Sequence, residues 1–371
     1  MPSKDVHGTR AEAETVRSLA VAALEDAGAP PDEASVVADS FVDASLRGID
    51  SHGVNLLPEY LARIRAVGWT MPNSAHVVAR HGGIALLDGG GGLGQVTATR
   101  AMDLAVDLAA SHGIGAVSVR NSSHFGAAGY FARRALNRDM LGVVMTNASP
   151  AIAPHGGAEQ LLGSNPWAVA VPSREPCDVV LDISNSVVAR SWIRLAAQEG
   201  REIPIGWALD GDGRPTTDAT AALRGTLQAM AGHKGYGIAF MIDCLAGILS
   251  GSAFGPGVLA PFAIQVDAPS KPLVEPQGVG HLMIAIDVSA VRPLEDFKAD
   301  VSKLIATLRA SRPAVGFESV LTPGEPECQA HAERSRTGIP VRPEVLAMLE
   351  AAGLFAGADK VRRESNRRSE P

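Results

Sequence analysis

Residues 88–95, DGGGGLGQ, sit between a segment that reads as a strand and one that reads as a helix. Gly89, Gly91 and Gly94 satisfy GxGxxG, the pattern of a Rossmann phosphate turn. The fit is poor. The strand ahead of the glycines is the second arm of a hairpin, AHVVAR, a turn at His81-Gly82-Gly83, then IALLDG. Asp88 stands directly before the glycines, and a run of four glycines meets such a pattern easily. A classical Rossmann dehydrogenase is therefore the second choice of fold. Strands and helices intermingle along the chain, and several strands are hairpin-linked. That favours an α/β fold with a mixed, largely antiparallel sheet flanked by helices.

The helices have local signals. Residues 9–28 read as an amphipathic helix with Thr9 and Glu12 as a capping box and Gly28 as its stop. A second helix covers about 32–46, and Pro58 opens a third. The stretch 225–255 carries a glycine-punctuated turn, AGHKGYG, and after it an apolar helix at about 237–249. Ile238, Met241, Ile242, Leu245 and Ile248 form its stripe, and Ala239, Phe240, Ala246 and Leu249 fill the rest, so it reads as buried nearly all round. A helix mouth with free N–H groups and a lysine suits an anion; a plain core helix would give the same pattern.

Composition closes off several classes. Lys and Arg number 33 against 40 Asp and Glu, a net charge of −7, which offers no general attraction for nucleic acid. Cys177, Cys244 and Cys328 are odd in number and widely spaced, so no disulfide framework is expected, and a reducing, cytoplasmic setting fits. No histidine pair has zinc-site spacing, so no metal is expected. The apolar helix contains Asp243 and falls short of a bilayer span, so no membrane partner is expected. The polar, basic end, 357–371, reads as a disordered tail.

Seven stretches, in order, resemble the type-2 malate/L-lactate dehydrogenase family. They are RGIDSHGVNLLPEY (47–60), VRNSSHFGAAGYF (119–131), TNASPAIAPHGGAEQLLGSNP (146–166), LDISNSVVARS (181–191), IPIGWALDGDGRPTTD (203–218), GHKGYGIAFMIDCLAGILSG (232–251) and LTPGEPE (321–327). The resemblance implies a non-Rossmann fold and reversible hydride transfer between NAD or NADP and a 2-hydroxy acid, 2-keto acid or cyclic imine. It implies residues 1–113 with 285–371 as a helical, substrate-binding and dimerising part, 114–284 as the NAD(P)-binding part, and a homodimer. The amphipathic helices at the chain ends are candidates for the dimer contact.

Histidine suits the proton step because its ordinary pKa lies near neutrality. Two candidates remain open: His52 with Ser51 as its relay partner, placed first, and His124 in SSHFG. For the cofactor the resemblance points to Asp182, Ile183 and Ser184, to His233 and Lys234, and to Pro323, Gly324 and Glu325. For the substrate it points to Tyr60, Ser164 and Asn165. A carboxylate at a strand end can accept from ribose hydroxyls, and a lysine at a helix mouth can meet a pyrophosphate.

Two positions depart from the family pattern. Leu56 stands where an arginine usually reads the substrate carboxylate, and Trp192 where an aspartate or lysine is usual. Arg190 and Arg194 flank Trp192 but face differently on a helix. Leucine cannot make a bidentate, charge-assisted pair. The site is expected to be less charged than a malate or lactate site, with an atypical substrate. The alternative is a nucleotide-binding paralogue without turnover, acting as a scaffold or regulator.

Overall fold

The computed structural model describes residues 9–66, 68–260 and 276–351. The tail at 357–371 lies outside the described residues. The chain opens with β1 (Thr9–Ala11), α1 (Ala13–Asp26) and α2 (Pro31–Leu46), then α3 (Leu57–Arg65). Thr9 does not cap α1. It lies in β1, which pairs with a strand near the other chain end, and Glu12 is the N-cap with no side-chain hydrogen bond. Tertiary pairing prevails here over a local cap of ~1 kcal/mol. The expected stripe of α1 is buried: Val16, Leu19, Ala20, Ala23 and Leu24.

A hairpin, β2 (His76–His81) and β3 (Ile84–Asp88), leads through the glycines into α4 (Gly94–His112) and β4 (Ile114–Ser122). α5 (Ala128–Arg134), β5 (Met140–Thr146), β6 (Pro150–Ile152), β7 (Leu162–Gly163), β8 (Trp167–Val171) and β9 (Val179–Ile183) follow. Next come α6 (Arg190–Gln198), β10 (Ala208–Leu209), α7 (Ala219–Arg224), β11 (Thr226–Leu227) and α8 (His233–Ile242). α8 runs on as a π-helical turn, Asp243–Ile248. The chain ends with β12 (Val279–Asp287), α9 (Leu294–Arg309), α10 (Glu325–Thr337), β13 (Ile339–Val341) and α11 (Pro343–Ala351).

Among the described residues the main sheet has seven strands, in the order β2-β3-β4-β12-β5-β8-β9. The pair β3–β4 is parallel and the other five are antiparallel. The mixed, largely antiparallel sheet is as expected from the hairpin signals. The single parallel crossover, β3-α4-β4, explains why the glycines imitate a Rossmann turn. They do not form a phosphate cradle. Gly89 N–H donates to Arg120 O (2.8 Å), Gly91 N–H to Asn121 O (2.7 Å) and Gly92 N–H to Gly89 O (3.1 Å).

Three apolar cores form among the described residues. The first gathers α1, α2, α3, β13 and α11 with Leu93 and Val96 of the α4 start, so both chain ends share one core. The second lies between the main sheet and α4 and α5. The third lies under the small sheet β10-β11-β6-β7, with α6, α7 and α8. A division at residue 113 therefore runs through the main sheet, between α4 and β4. The reason is that β3 pairs with β4 along its whole length.

The apolar helix is not buried nearly all round. Ala239, Ile242, Ala246 and Gly247 face inward, whereas Phe240 is 48% exposed, Met241 54% and Leu249 63%. Asp243, buried in this segment, accepts from Asn147 Nδ2 (2.9 Å) and Gly255 N–H (2.8 Å). That brace holds the π turn against β12, where a Cβ at Gly280 would lie 2.1 Å from Ala246 O.

The cysteines also depart from expectation. Cys177 and Cys328 are joined by a disulfide, with Cα atoms 5.7 Å apart and a sequence separation of 151. Sequence spacing does not reveal which distant positions the fold brings together, and the bond removes the cysteine argument for a reducing compartment. It ties the start of α10 to the β8–β9 connection. Cross-linking so distant a pair restricts the unfolded chain and stabilises by ~2–4 kcal/mol. A reductant is expected to lower the thermal midpoint by several degrees, and Cys177→Ser to remove that dependence. An unchanged midpoint in the wild-type protein would contradict the bond's contribution.

Candidate active site

The turn carrying His52 is anchored from two sides. A Cβ at Gly53 would lie 2.2 Å from Ser45 Oγ, which itself accepts from Val54 N–H (3.0 Å). Arg334 of α10 clamps Asp50 through two nitrogens (2.6 and 3.0 Å) and donates to Ser45 O. His52 Nδ1 lies 2.9 Å from Ser51 Oγ.

His124 stands in the turn after β4. Ser123 Oγ donates to Gly92 O (2.8 Å), and His124 N–H donates to Gln277 Oε1 (3.1 Å). The glycines let this turn come close: a Cβ at Gly94 would meet Ser123 O at 2.3 Å and His124 O at 2.4 Å. The two imidazoles stack 5.7 Å apart, 15° from parallel. The two candidates thus occupy one site rather than competing ones.

Tyr60 was expected to touch substrate. It is fully buried, against Phe41 (4.9 Å) and Trp69 (4.8 Å). Its hydroxyl lies 2.8 Å from His124 Nδ1 and 3.1 Å from His124 O, and it accepts from Gln95 Nε2 at 2.7 Å. Its hydroxyl is thus engaged on His124 and Gln95. Behind the site, His281 on β12 is fully buried. Thr146 Oγ1 donates to carbonyls, so His281 Nδ1 donates to it (2.7 Å) and Nε2 accepts from Ser122 Oγ (2.8 Å).

Burial lowers all three histidines: His52 to about 4, His281 to about 3, and His124 to about 3 with added repulsion from His52 and His281. The three imidazoles are therefore uncharged at neutral pH.

The segments carrying the cofactor candidates are joined by backbone hydrogen bonds. Asp182 on β9 accepts from Gly129 N–H of α5 (2.8 Å) through Oδ2, and Oδ1 makes no hydrogen bond among the described residues. Burial raises its carboxyl to about 6. Pro323 O accepts from Val180 N–H (3.2 Å), and Gly324, at φ 88°, packs on Asp178 and Val180 where a Cβ would clash at 2.5 Å. Glu325 is turned back, accepting from Thr322 N–H (3.0 Å), Thr322 Oγ1 (3.1 Å) and Arg309, so its carboxylate shapes the turn. Ile183 ends β9, and Ser184 Oγ pairs with Ser186 Oγ (3.1 Å). Asn185 O then accepts from Met230 N–H (2.9 Å), joining this strand end to the mouth of α8.

At that mouth His233 and Lys234 are exposed, and Lys234 Nζ has no ion-pair partner among the described residues. The expected free helix N–H groups are mostly engaged, because the tight turn folds back on itself. Lys234 N–H donates to Ala231 O and Gly235 N–H to Met230 O. An anion here meets the lysine charge more than a row of amides.

Asn165 is buried, and both ends of its amide are engaged, with Ala148 N–H and Ala239 O. It braces the 148–165 loop against α8. Ser164 O accepts from Asn185 N–H (2.9 Å). Leu56 packs on the first core. Trp192 is 43% exposed, Arg194 is exposed, and Arg190 turns inward to Leu223 O (2.8 Å) and Gln160 (3.3 Å). Gln95, Gln277, His281 and Arg334 were not anticipated. Only Gln95 had a local signal, its place directly behind the glycines.

A histidine held neutral below its ordinary 6.5 stabilises the fold fully above pH 6.5 and loses that contribution as pH falls toward the folded value. Asp182, shifted upward, opposes this between pH about 6 and 4, but three larger downward shifts outweigh one. The urea midpoint is expected to fall steadily from pH 7 to pH 4.5. An unchanged or rising midpoint would contradict the neutral cluster.

A family model described as malate/L-lactate dehydrogenase matches residues 11–350. The malate dehydrogenase of Pyrococcus horikoshii is 36% identical over 350 residues, 92% of this chain and 94% of that protein. Its solved structure superposes with a TM-score of 0.84 at 34% identity, covering 97% of this chain and 98% of that one. L-sulfolactate dehydrogenase of Methanocaldococcus jannaschii is 38% identical over 314 residues, 85% of this chain and 88% of that protein. The (2R)-3-sulfolactate dehydrogenase (NADP(+)) of Chromohalobacter salexigens is 40% identical over 276 residues, 74% of this chain and 79% of that protein. With its non-Rossmann sheet, its paired histidines and these likenesses, the chain belongs to the malate/L-lactate dehydrogenase family and is an oxidoreductase that works with NAD or NADP.

Proposed function

We propose that this protein interconverts a 2-hydroxy acid and its 2-keto acid, or a cyclic amine and its imine, with the His52–His124 pair managing the proton. The observation that carries this reading is the pair of near-parallel imidazoles 5.7 Å apart, each with Nδ1 beside a hydroxyl. The residues fit a nicotinamide dinucleotide: Asp182 has an open oxygen for ribose hydroxyls, and Lys234 has an unpaired charge for a pyrophosphate. When bound, the nicotinamide accepts or supplies the hydride. The chain's own work is to hold the reacting carbon near the ring, exclude water, and give or take one proton at an imidazole nitrogen.

Leu56 and Trp192 support a substrate less charged than malate. Leu56 is part of an apolar core, Trp192 offers one N–H and no charge, and Arg190 is engaged elsewhere. A buried carboxylate without its reader costs several kcal/mol, on the order of 2–5, so pyruvate and oxaloacetate are expected to be poor substrates. The test is NADH and NADPH oxidation by the purified protein against a panel of 2-keto acids and cyclic imines. His52→Ala and His124→Ala are each expected to lower kcat by about 10²–10⁴, with cofactor binding kept. Efficient turnover of pyruvate or oxaloacetate would refute the atypical substrate. Cofactor binding without any turnover would favour a scaffold, and no binding of either cofactor would sink both readings.

The described residues include no helix long and apolar enough to cross a membrane. A homodimer is proposed as well. The stripes of α1 and α2 face their own core, so the chain-end helices are not its best surface. The exposed Phe240, Met241, Ile248 and Leu249 form a contiguous apolar helix face of the kind that interfaces cover. Light scattering at micromolar concentration is expected to give twice the chain mass, and Phe240→Glu with Leu249→Glu to halve it. A monomeric wild-type protein would overturn the dimer.

A further inference from the structure

Among the described residues the hydroxyl of Tyr60 meets Gln95 and two atoms of His124, and their chemistry restricts where its one hydrogen can go. Gln95 Nε2 lies at 2.7 Å, His124 Nδ1 at 2.8 Å and the His124 carbonyl oxygen at 3.1 Å. A phenol donates once and accepts with the remaining lone pairs. The carbonyl oxygen accepts only, so it takes the hydroxyl hydrogen, and the other two partners must donate. His124 then carries its hydrogen on Nδ1. Turning the Gln95 amide over would set a second acceptor against the hydroxyl and leave one of the two oxygens without a hydrogen, so the amide donates to Tyr60. The opposite arrangement, with the hydroxyl donating to Nδ1, sets two bare acceptors 3.1 Å apart in a buried place, which is costly.

We propose that Tyr60 and Gln95 are positioning residues that hold His124 as its Nδ1–H tautomer, leaving Nε2 as the nitrogen that exchanges the proton with the substrate. This rests on the oxidoreductase reading above. In the oxidative direction the substrate C–H bond breaks and its hydride leaves to the nicotinamide. The O–H bond breaks, its proton goes to Nε2, and C=O forms. His124 becomes an imidazolium whose Nδ1–H still donates to Tyr60, so no heavy atom moves. In reduction Nε2–H returns the proton and the same Nδ1–H tautomer is restored.

The geometry around Tyr60 suits this task. Its ring is fixed between Phe41 and Trp69, and Gln95 is fully buried on the first turn of α4. Two rigid elements therefore aim one hydroxyl at one ring nitrogen, and a third, the close turn beside Gly94, holds the ring. A merely structural tyrosine would need neither the glutamine nor the contact to Nδ1.

The tautomer is read directly, in the cofactor-free protein, by two-bond ¹H–¹⁵N spectra of ¹⁵N-histidine-labelled chain. His124→Asn identifies the signal by its loss. The expected result is an Nδ1–H pattern for His124 in the wild type and its loss or mixture with the Nε2–H pattern in Tyr60→Phe. Where substrate turns over, Tyr60→Phe is expected to lower kcat about tenfold or more with KM within about twofold, and NADH or NADPH affinity unchanged. An Nε2–H pattern in the wild type overturns the proposal, as does a Tyr60→Phe protein with unchanged tautomer and kcat. Should Tyr60→Phe not fold, the wild-type spectrum decides alone. A wild type with the Nδ1–H pattern and no turnover of any keto acid or imine leaves the tautomer assignment standing and removes the oxidoreductase reading instead.

Discussion

One backbone contact supports much of this molecule. The start of α4 lies so close to the turn after β4 that any side chain at residue 94 would collide with two carbonyl oxygens within 2.4 Å. Only glycine, with no Cβ, permits that approach. Because the contact exists, β3 and β4 lie side by side as a parallel pair and α4 packs across them. Because of it too, Gln95 faces Tyr60 and His124 is held over the site. The amides of the glycine loop close on Arg120 and Asn121, and that engagement is what denies the loop to a phosphate.

The histidine cluster is built to be neutral. Three histidines lie near one another, and burial lowers each. Each has a hydroxyl partner instead of a carboxylate: Ser51 for His52, Tyr60 for His124, and Thr146 with Ser122 for His281. A carboxylate would favour a standing imidazolium, whereas hydroxyls set ring orientation and tautomer and leave the ring uncharged until a substrate presents its proton. Asp182, the nearby carboxyl singled out for ribose, is pushed upward by burial and is stabilised by an amide of α5.

Where sequence reasoning fell short, a partner distant in the chain decided the matter. Thr9 and Glu12 had the spacing of a cap, but β13 offers Thr9–Ala11 a strand to pair with. The helix that starts at His233 is largely apolar, yet Phe240, Met241, Ile248 and Leu249 on its outer face are exposed, which periodicity cannot indicate. Cys177 and Cys328 pair across 151 residues. Tyr60 and Asn165 are buried in their stretches, with their polar atoms on His124, Ala148 and Ala239, partners that local sequence does not name.

The sequence alone determined the family, the two histidine turns, the strand-end aspartate and the hairpin that argues against a Rossmann sheet. These are carried by short contiguous stretches, whose residue types and turn glycines are readable without knowing what lies beside them. Tertiary structure alone decided that His52 and His124 share one site, that Tyr60 and Gln95 stand behind the second of them, and that Arg334 steadies the first. Those relations join α2, α3, α4, the turn after β4 and α10. Hydrogen bonds of three ångströms between such distant segments depend on how the cores pack, and packing leaves no periodic trace in the chain.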